Sequence, residues 1–394
     1  MADRLADAIE WLDRLVAFDT TSRESNLELI DVVRAYLAGL GVSSRLTHDD
    51  DGRKANLWAT IGPDDRGGVV LSGHTDVVPV DGQDWSSDPF RMRRHNGRLY
   101  GRGTSDMKGF CAVVLACAPD MLARDLVVPL HFAFSYDEEV GCLGVRGLIR
   151  DVVENLPLPR AVIVGEPTSM GIIGGNKGAR AYRTVVRGVP GHSSEPHRGA
   201  NSIMVAARII SFIEDLQGEL ARNADRDCPF DPPYTTFDLG VIQGGTASNI
   251  IPEYTTIRWG FRGLPDEDQD GLEARVRDYI STEIDPKLKA VAPHAGVTME
   301  LLNSTPPLIP DTTSAAEQLI RHLTGLNESG TVAFGTEAGL FQQAGIPGVI
   351  FGPGSIQQAH QPDEFIEVSQ MAACVHFLDR MIGWCASDAA RSRP

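Results

Sequence analysis

The sequence predicts an α/β protein with a mostly parallel central sheet, interrupted by an inserted ferredoxin-like (βαββαβ) domain. Three observations carry that expectation. Apolar runs at 69–71, 130–134, 161–164 and 349–351 each lead into a histidine, a carboxylate or a glycine loop, the pattern of buried strands ending at a ligand crevice. Apolar residues three and four apart mark amphipathic helices around these runs. A block starting near Gly178 instead reads strand, helix, strand, strand, helix, strand over about 120 residues.

In chain order, Leu5, Ile9, Leu12 and Val16 predict a first helix, and Leu27, Ile30, Val33, Tyr36, Leu37 and Leu40 a second that Gly39 and Gly41 end. A strand-rich stretch follows from about 55 to 80, and Met107 to Arg124, rich in Ala, Val, Leu and Cys, reads as a buried helix. The inserted block comprises strand 180–187, helix 201–222, strands 235–242 and 254–261, helix 266–284 and strand 296–302. Prolines 306, 307 and 310 mark the return, followed by a helix over 315–323, a strand over 348–351 and a closing helix over 368–384. The expected domains are therefore 1–179 with 304–394, and 180–303.

At 394 residues the chain exceeds what a single core supports, which also argues for two domains. A hydrophobic fraction of 42% and a charged fraction of 23% are those of a soluble globular protein. The net charge of -17 repels phosphate backbones and anionic bilayers, so neither nucleic acid nor membrane is an expected partner. No apolar run approaches the roughly 18 residues of a membrane span. No basic start followed by an apolar core opens the chain, so the cytoplasm is the expected address. Six cysteines without CxxC spacing are expected to be mostly reduced.

The strand ends supply His74, Glu138, Glu139, Glu166 and His360, and a glycine-flanked loop at 101–109 adds Asp106. Imidazoles and carboxylates converging on one edge suit divalent metal, and two ions become possible if one carboxylate bridges them. Asp106 is the expected bridge, because glycine on either side lets backbone approach closely. Of the adjacent pair, one glutamate is expected as ligand and the other as general base. Asp76, two positions after His74, is expected to hydrogen-bond the far imidazole nitrogen. The loop around Gly354 could offer backbone N–H groups to an anion, or be simply a tight turn.

Five segments together resemble the dinuclear zinc aminoacylase and carboxypeptidase family: Ser72-Gly73-His74-Thr75-Asp76, Gly101 to Gly109, Asp137-Glu138-Glu139, Gly165-Glu166-Pro167-Thr168 and Ala359 to Glu364. The resemblance implies two divalent metals, zinc with cobalt able to substitute. His74, Asp106 and Glu166 would hold one and Asp106, Glu139 and His360 the other, with Glu138 as base. It also implies a homodimer formed through the insertion. Within the insertion, Gly191-His192-Ser193-Ser194 resembles the family segment whose histidine stabilises the oxyanion in the partner's site. Asn249 and Arg262 resemble the pair that holds a substrate carboxylate, although Gly260 stands where an aspartate is usual.

The stretches 335–347 and 352–360 are most similar to the acetylornithine deacetylase branch. That branch implies hydrolysis of N2-acetyl-L-ornithine in arginine biosynthesis, with Glu337 facing the substrate's cationic side chain. Another acyl-amino acid, such as a succinylated diamino acid, or a short peptide remains open as substrate, as does a non-catalytic metal-binding scaffold.

Overall fold

A computed structural model describes residues 2–390 of the chain. It divides into two compact units: residues up to Gly175 with Leu308–Gly330 and the chain from Thr336 onward, and Asn176–Pro307 with Thr331–Gly335. Each has its own apolar core.

The first unit is built on an eight-stranded sheet. Across it the strands run Ser44–His48, Ala55–Ile61, Leu130–Ser135, Val69–His74, Ala161–Val164, Gly348–Ile350, Ile172–Asn176 and Ser329–Val332. The four middle strands from Leu130–Ser135 to Gly348–Ile350 are mutually parallel. They are buried along their whole length, which explains why they read as unbroken apolar runs rather than alternating ones. The register pairs Val69 with both Leu130 and Ala161, and His74 with Ser135, so the carboxyl ends of these strands line up on one edge.

The helix Lys108–Leu122 is buried along nearly its entire length, and Ala2–Val16 and Val368–Cys385 pack on it. It lies hard against the strand ends: a Cβ on Gly165 would sit 2.1 Å from the Phe110 ring. A side chain there would drive the helix away from the sheet. A helix over Val145–Asn155, with Leu148, Ile149 and Val152 inside, was not expected from the sequence. No helix among the described residues is long and apolar enough to cross a membrane.

The second unit orders its strands Thr236–Gly244, Tyr254–Gly263, Gly178–Arg187, Gly296–Thr305, with every neighbour antiparallel. With helices Ser202–Arg222 and Gln269–Tyr279 this is the ferredoxin-like arrangement. Burial alternates along Tyr254–Gly263, placing Ile257, Trp259 and Phe261 in the core with Ile209, Ile213 and Val276. The helix expected over 266–284 is longer and interrupted. After Tyr279 it passes through a π-helical segment, Ile280–Ile284, into Asp285–Val291. Pro286 sits in the first turn of the new segment and has no N–H to continue the preceding ladder.

Candidate metal centre

The aligned carboxyl edge of the first unit gathers side chains from four strand ends and the 101–109 loop. His74 closes its strand with its side chain 1% exposed, and its Nε2 lies 3.0 Å from Asp106 Oδ1 and 3.8 Å from Glu166 Oε1. The other Asp106 oxygen, Oδ2, lies 3.3 Å from His360 Nε2, which is also 3.0 Å from Glu139 Oε2. One carboxylate is thus divided between two imidazoles. His74, Asp106 and Glu139, and likewise His74, Glu138 and Glu166, bring potential ligand atoms within 4.8 Å of one another.

Glu138 and Glu139 lie beyond the end of strand Leu130–Ser135, in a tight turn bounded by Asp137 and Cys142. Both bounding residues have positive φ, 55° and 53°. The turn sends the neighbouring side chains apart. Glu139 meets His360, while Glu138 Oε1 lies 3.3 Å from the Cys142 thiol. His360 also has a positive φ, 62°, an uncommon conformation of the kind that concentrates at functional sites.

Asp76 does more than the sequence suggested. The strand ends at His74, and the nearest acceptor for His74 Nδ1 is the Asp76 backbone carbonyl at 2.9 Å, with Asp76 Oδ1 at 3.5 Å. The Asp76 carboxylate accepts hydrogen bonds from the backbone N–H of Glu138 at 3.1 Å and of Glu139 at 3.3 Å, and from Ser22 Oγ at 2.7 Å. One aspartate therefore orients an imidazole and holds the glutamate turn.

The electrostatics are those of an acidic pocket stripped of water. Burial raises the Glu138 and Glu166 carboxyls well above the usual range, with repulsion from neighbouring carboxylates adding and His74 partly offsetting it. Burial and the Asp106 charge push Glu139 up to about 7. Burial would raise Asp106 too, but hydrogen bonds from His360 and His74 hold it below the usual carboxylate range. Donating to Asp106 and to Glu139 in turn pushes His360 up to about 10. Glu139 Oε1 is buried without a hydrogen-bond partner. So many acids packed in low dielectric, one with an orphaned oxygen, fit divalent cations better than they fit a neutral core.

Two expectations are corrected. The 352–355 loop does not offer free donors: Gly352 N–H goes to Thr168 Oγ1 at 3.1 Å, Gly354 N–H to Gln370 Oε1 at 3.2 Å and Ser355 N–H to Ser105 Oγ at 3.2 Å. Gly354 serves instead as a left-handed turn residue, φ 87°, where a Cβ would meet Ser105 Oγ at 2.5 Å. Glu337 does not face an open side-chain pocket. It is 1% exposed, and its two oxygens accept Ser135 Oγ at 2.5 Å and Ser72 Oγ at 3.2 Å, both hydroxyls belonging to the central strands. Burial pushes its carboxyl up to about 7.

The other expected residues belong to the second unit. The short strand Gly191–His192 pairs with Ile250–Ile251, and Ser193 N–H donates to the Asn249 carbonyl at 3.1 Å, so the His192 and Asn249 segments lie side by side. Both residues are exposed, and the His192 ring bonds Ser194 Oγ at 2.7 Å. Arg262 is exposed on Tyr254–Gly263, on the face shared with Gly260. Gly260 there opposes Asp238 and Ala181, and a Cβ on it would lie 2.5 Å from the Arg180 carbonyl. All six cysteines are unpaired.

Comparison with known proteins yields a consistent set. A family model described as peptidase family M20/M25/M40 matches residues 70–383. An acetylornithine deacetylase of Myxococcus xanthus is 35% identical over 97% of this chain and 98% of its own length. One from Proteus mirabilis is 34% identical over 95% of this chain and 94% of its own length. Among solved structures, a metallo-carboxypeptidase of Sulfolobus solfataricus superposes with a TM-score of 0.74 at 19% identity, covering 98% of this chain and all of its own.

Proposed function

We propose, from the premise that this chain belongs to peptidase family M20/M25/M40 and is a hydrolase of amide bonds, that it cleaves N2-acetyl-L-ornithine to acetate and L-ornithine. The observation that carries the chemistry is the division of the Asp106 carboxylate between His74 and His360, with Glu138 facing the same cluster. The substrate rests on near-full-length similarity to relatives named for that reaction.

In this reading His74, Asp106 and Glu166 would hold one divalent ion and Asp106, Glu139 and His360 a second. Zinc, or cobalt in its place, would polarise the acyl carbonyl and lower the pKa of the attacking water. Glu138 takes the proton of that water. Burial favours the protonated form of its carboxyl, so the proton can be kept there and passed to the departing amine nitrogen, a poor leaving group unless protonated. Asp76 keeps Glu138 in place through the backbone and His74 in place through the ring. His192 stabilises the oxyanion in the site of a second copy of the chain, and Asn249 and Arg262 receive the substrate carboxylate, Arg262 through its planar fork. A role for His192 in a second copy's site makes the enzyme a homodimer in this reading, and the cytoplasm is the address we propose for it.

The test is amine release, detected with ninhydrin, from N-acetyl amino acids, N-succinyl-diaminopimelate and dipeptides, using chelator-stripped protein with and without Zn²⁺ or Co²⁺. Metal-dependent release fastest with N2-acetylornithine is expected. Faster release from another member of the panel would replace the substrate, and metal-independent release would overturn the mechanism.

A further inference from the structure

Glu364 lies four residues after His360, is 1% exposed, and has no part in the chemistry described above. Its carboxylate is nevertheless the most heavily engaged acceptor near the centre. Oε1 accepts the backbone N–H of Ser105 at 2.8 Å and of Asp106 at 3.1 Å. Oε2 accepts the N–H of Gly103 at 2.9 Å and Nη1 of Arg102 at 2.8 Å. The Glu364 carbonyl also accepts the Gly101 N–H at 2.9 Å. One residue thus fixes the backbone of the 101–106 loop at four positions and holds the Arg102 guanidinium.

The connection continues to His360. Arg102, 1% exposed, donates Nη2 to Gln83 Oε1 at 2.5 Å and Nη1 to the Gln361 carbonyl at 3.4 Å, and its guanidinium carbon lies 5.0 Å from the centre of the Trp85 ring. Gln83 Nε2 in turn donates to the His360 carbonyl at 2.9 Å. A closed circuit results, Glu364 to Arg102 to Gln83 to the backbone of His360. It ties together the two segments that present Asp106 and His360 to each other.

We propose that Glu364 is a positioning residue for the metal centre: its four-donor carboxylate sets the orientation in which Asp106 offers one oxygen toward His74 and the other toward His360. This rests on the dinuclear reading above. A buried ion pair is a weak source of stability, because desolvation of both charges offsets their attraction. Charge-assisted bonds donated to a rigid acceptor do, however, fix geometry, and groups that orient metal ligands typically alter affinity by about 10- to 100-fold when changed.

Glu364→Gln is the discriminating variant. Whichever way the amide turns, its NH2 must face two donors, Ser105 and Asp106 N–H or Gly103 N–H and Arg102, so one half of the clamp is lost at nearly constant volume. Metal-free wild type and variant, full length, are titrated with Zn²⁺ against a chromophoric chelator. The visible spectrum of the Co²⁺ form is recorded as a report of coordination geometry, and melting of the metal-free forms as a control for folding.

The expected result is a wild type that binds two ions per chain, and a variant whose affinity for at least one is about 10- to 100-fold weaker, with an altered Co²⁺ spectrum and a metal-free form that still melts cooperatively, at a lower temperature because buried donors lose their acceptor. Equal affinity and identical spectra, with two ions in the wild type, would overturn the positioning role and leave the proposed function standing. Fewer than two ions in the wild type would overturn the dinuclear reading and this inference with it. Should Glu364→Gln not fold, Gln83→Ala breaks the circuit at a half-buried residue, where about threefold weaker Zn²⁺ binding is expected. Unchanged binding there would overturn the proposal.

Discussion

Two buried histidines on adjacent strands of one sheet, His74 and His131, have opposite chemistry. His74 stands at the carboxyl edge among Asp106, Asp76 and Glu166; burial opposes its charge, yet the hydrogen bonds it donates to Asp106 and Asp76 raise its pKa well above the ordinary value. His131 lies toward the amino end, paired in register with Val70, and burial alone pushes its pKa down to about 4. Gly68 N–H donates to its Nε2 at 3.1 Å, which leaves the proton on Nδ1 to be donated to Thr60 Oγ1 at 3.0 Å. The ring stacks on Trp58 with centroids 4.8 Å apart. Burial therefore does not mark a site. What distinguishes the two edges is whether the buried ring is surrounded by charge that it must balance.

The sharpest way to break this contrast is to remove Glu138, the base we propose, from the charged edge. Glu138→Gln is expected to lower kcat by about 100- to 10,000-fold while two metal ions stay bound, since general-base catalysis typically contributes that much. His131→Gln, at the other edge, should change kcat by less than about threefold, because it touches none of the acids. Steady-state kinetics with metal analysis of both variants decides the matter. Loss of metal from Glu138→Gln would mean that Glu138 and Glu139 have exchanged roles.

The next effect is smaller and lies at the structural edge. His131 binds a proton less readily folded than unfolded, so between its folded value of about 4 and an unfolded value near 6.5 the unfolded chain takes up more protons, and stability falls as pH falls. From pH 7 to pH 5 the loss from this group is about 2 kcal/mol. Glutamine can accept from Gly68 and donate to Thr60 without titrating, so His131→Gln should flatten that part of the pH dependence. Urea midpoints of the metal-loaded wild type and variant at the two pH values provide the measure. Parallel pH dependences would show that the ring is not held neutral.

The same contrast explains what could be read in the sequence. The parallel strands and the residues closing them were legible because both signals are local: an apolar run, then His74, Glu138 or Glu166 within a few positions. The ferredoxin-like order was legible for the same reason, with its alternating and helical periods intact. The clamp of Glu364 on Asp106 was not, since a side chain reaching backbone 258 positions away leaves no spacing to recognise. The bonds from Asp76 to the Glu138–Glu139 turn join residues 62 and 63 positions apart, and they were missed likewise. The loop around Gly354 left two readings open, anion site or tight turn, because glycine signals only that the backbone turns, not where its N–H groups go.

The finest distinction concerns Cys142, a neutral group lodged at the charged edge. It is 3% exposed, and burial first, then the Glu138 charge, raises its thiol well above the ordinary value, so it stays protonated and can donate to Glu138 Oε1 at 3.3 Å. A thiol is a weak donor. Its loss in Cys142→Ala should therefore lower kcat only about two- to fivefold, with KM unchanged, because the thiol reaches the base rather than a substrate-binding group. Cys142→Ser keeps an O–H in nearly the same place and should restore most of the rate. If Cys142→Ala and Cys142→Ser are equally slow, the sulfur contributes by filling space. If serine alone recovers, orientation of the base by a single hydrogen bond is part of what separates this edge of the sheet from the other.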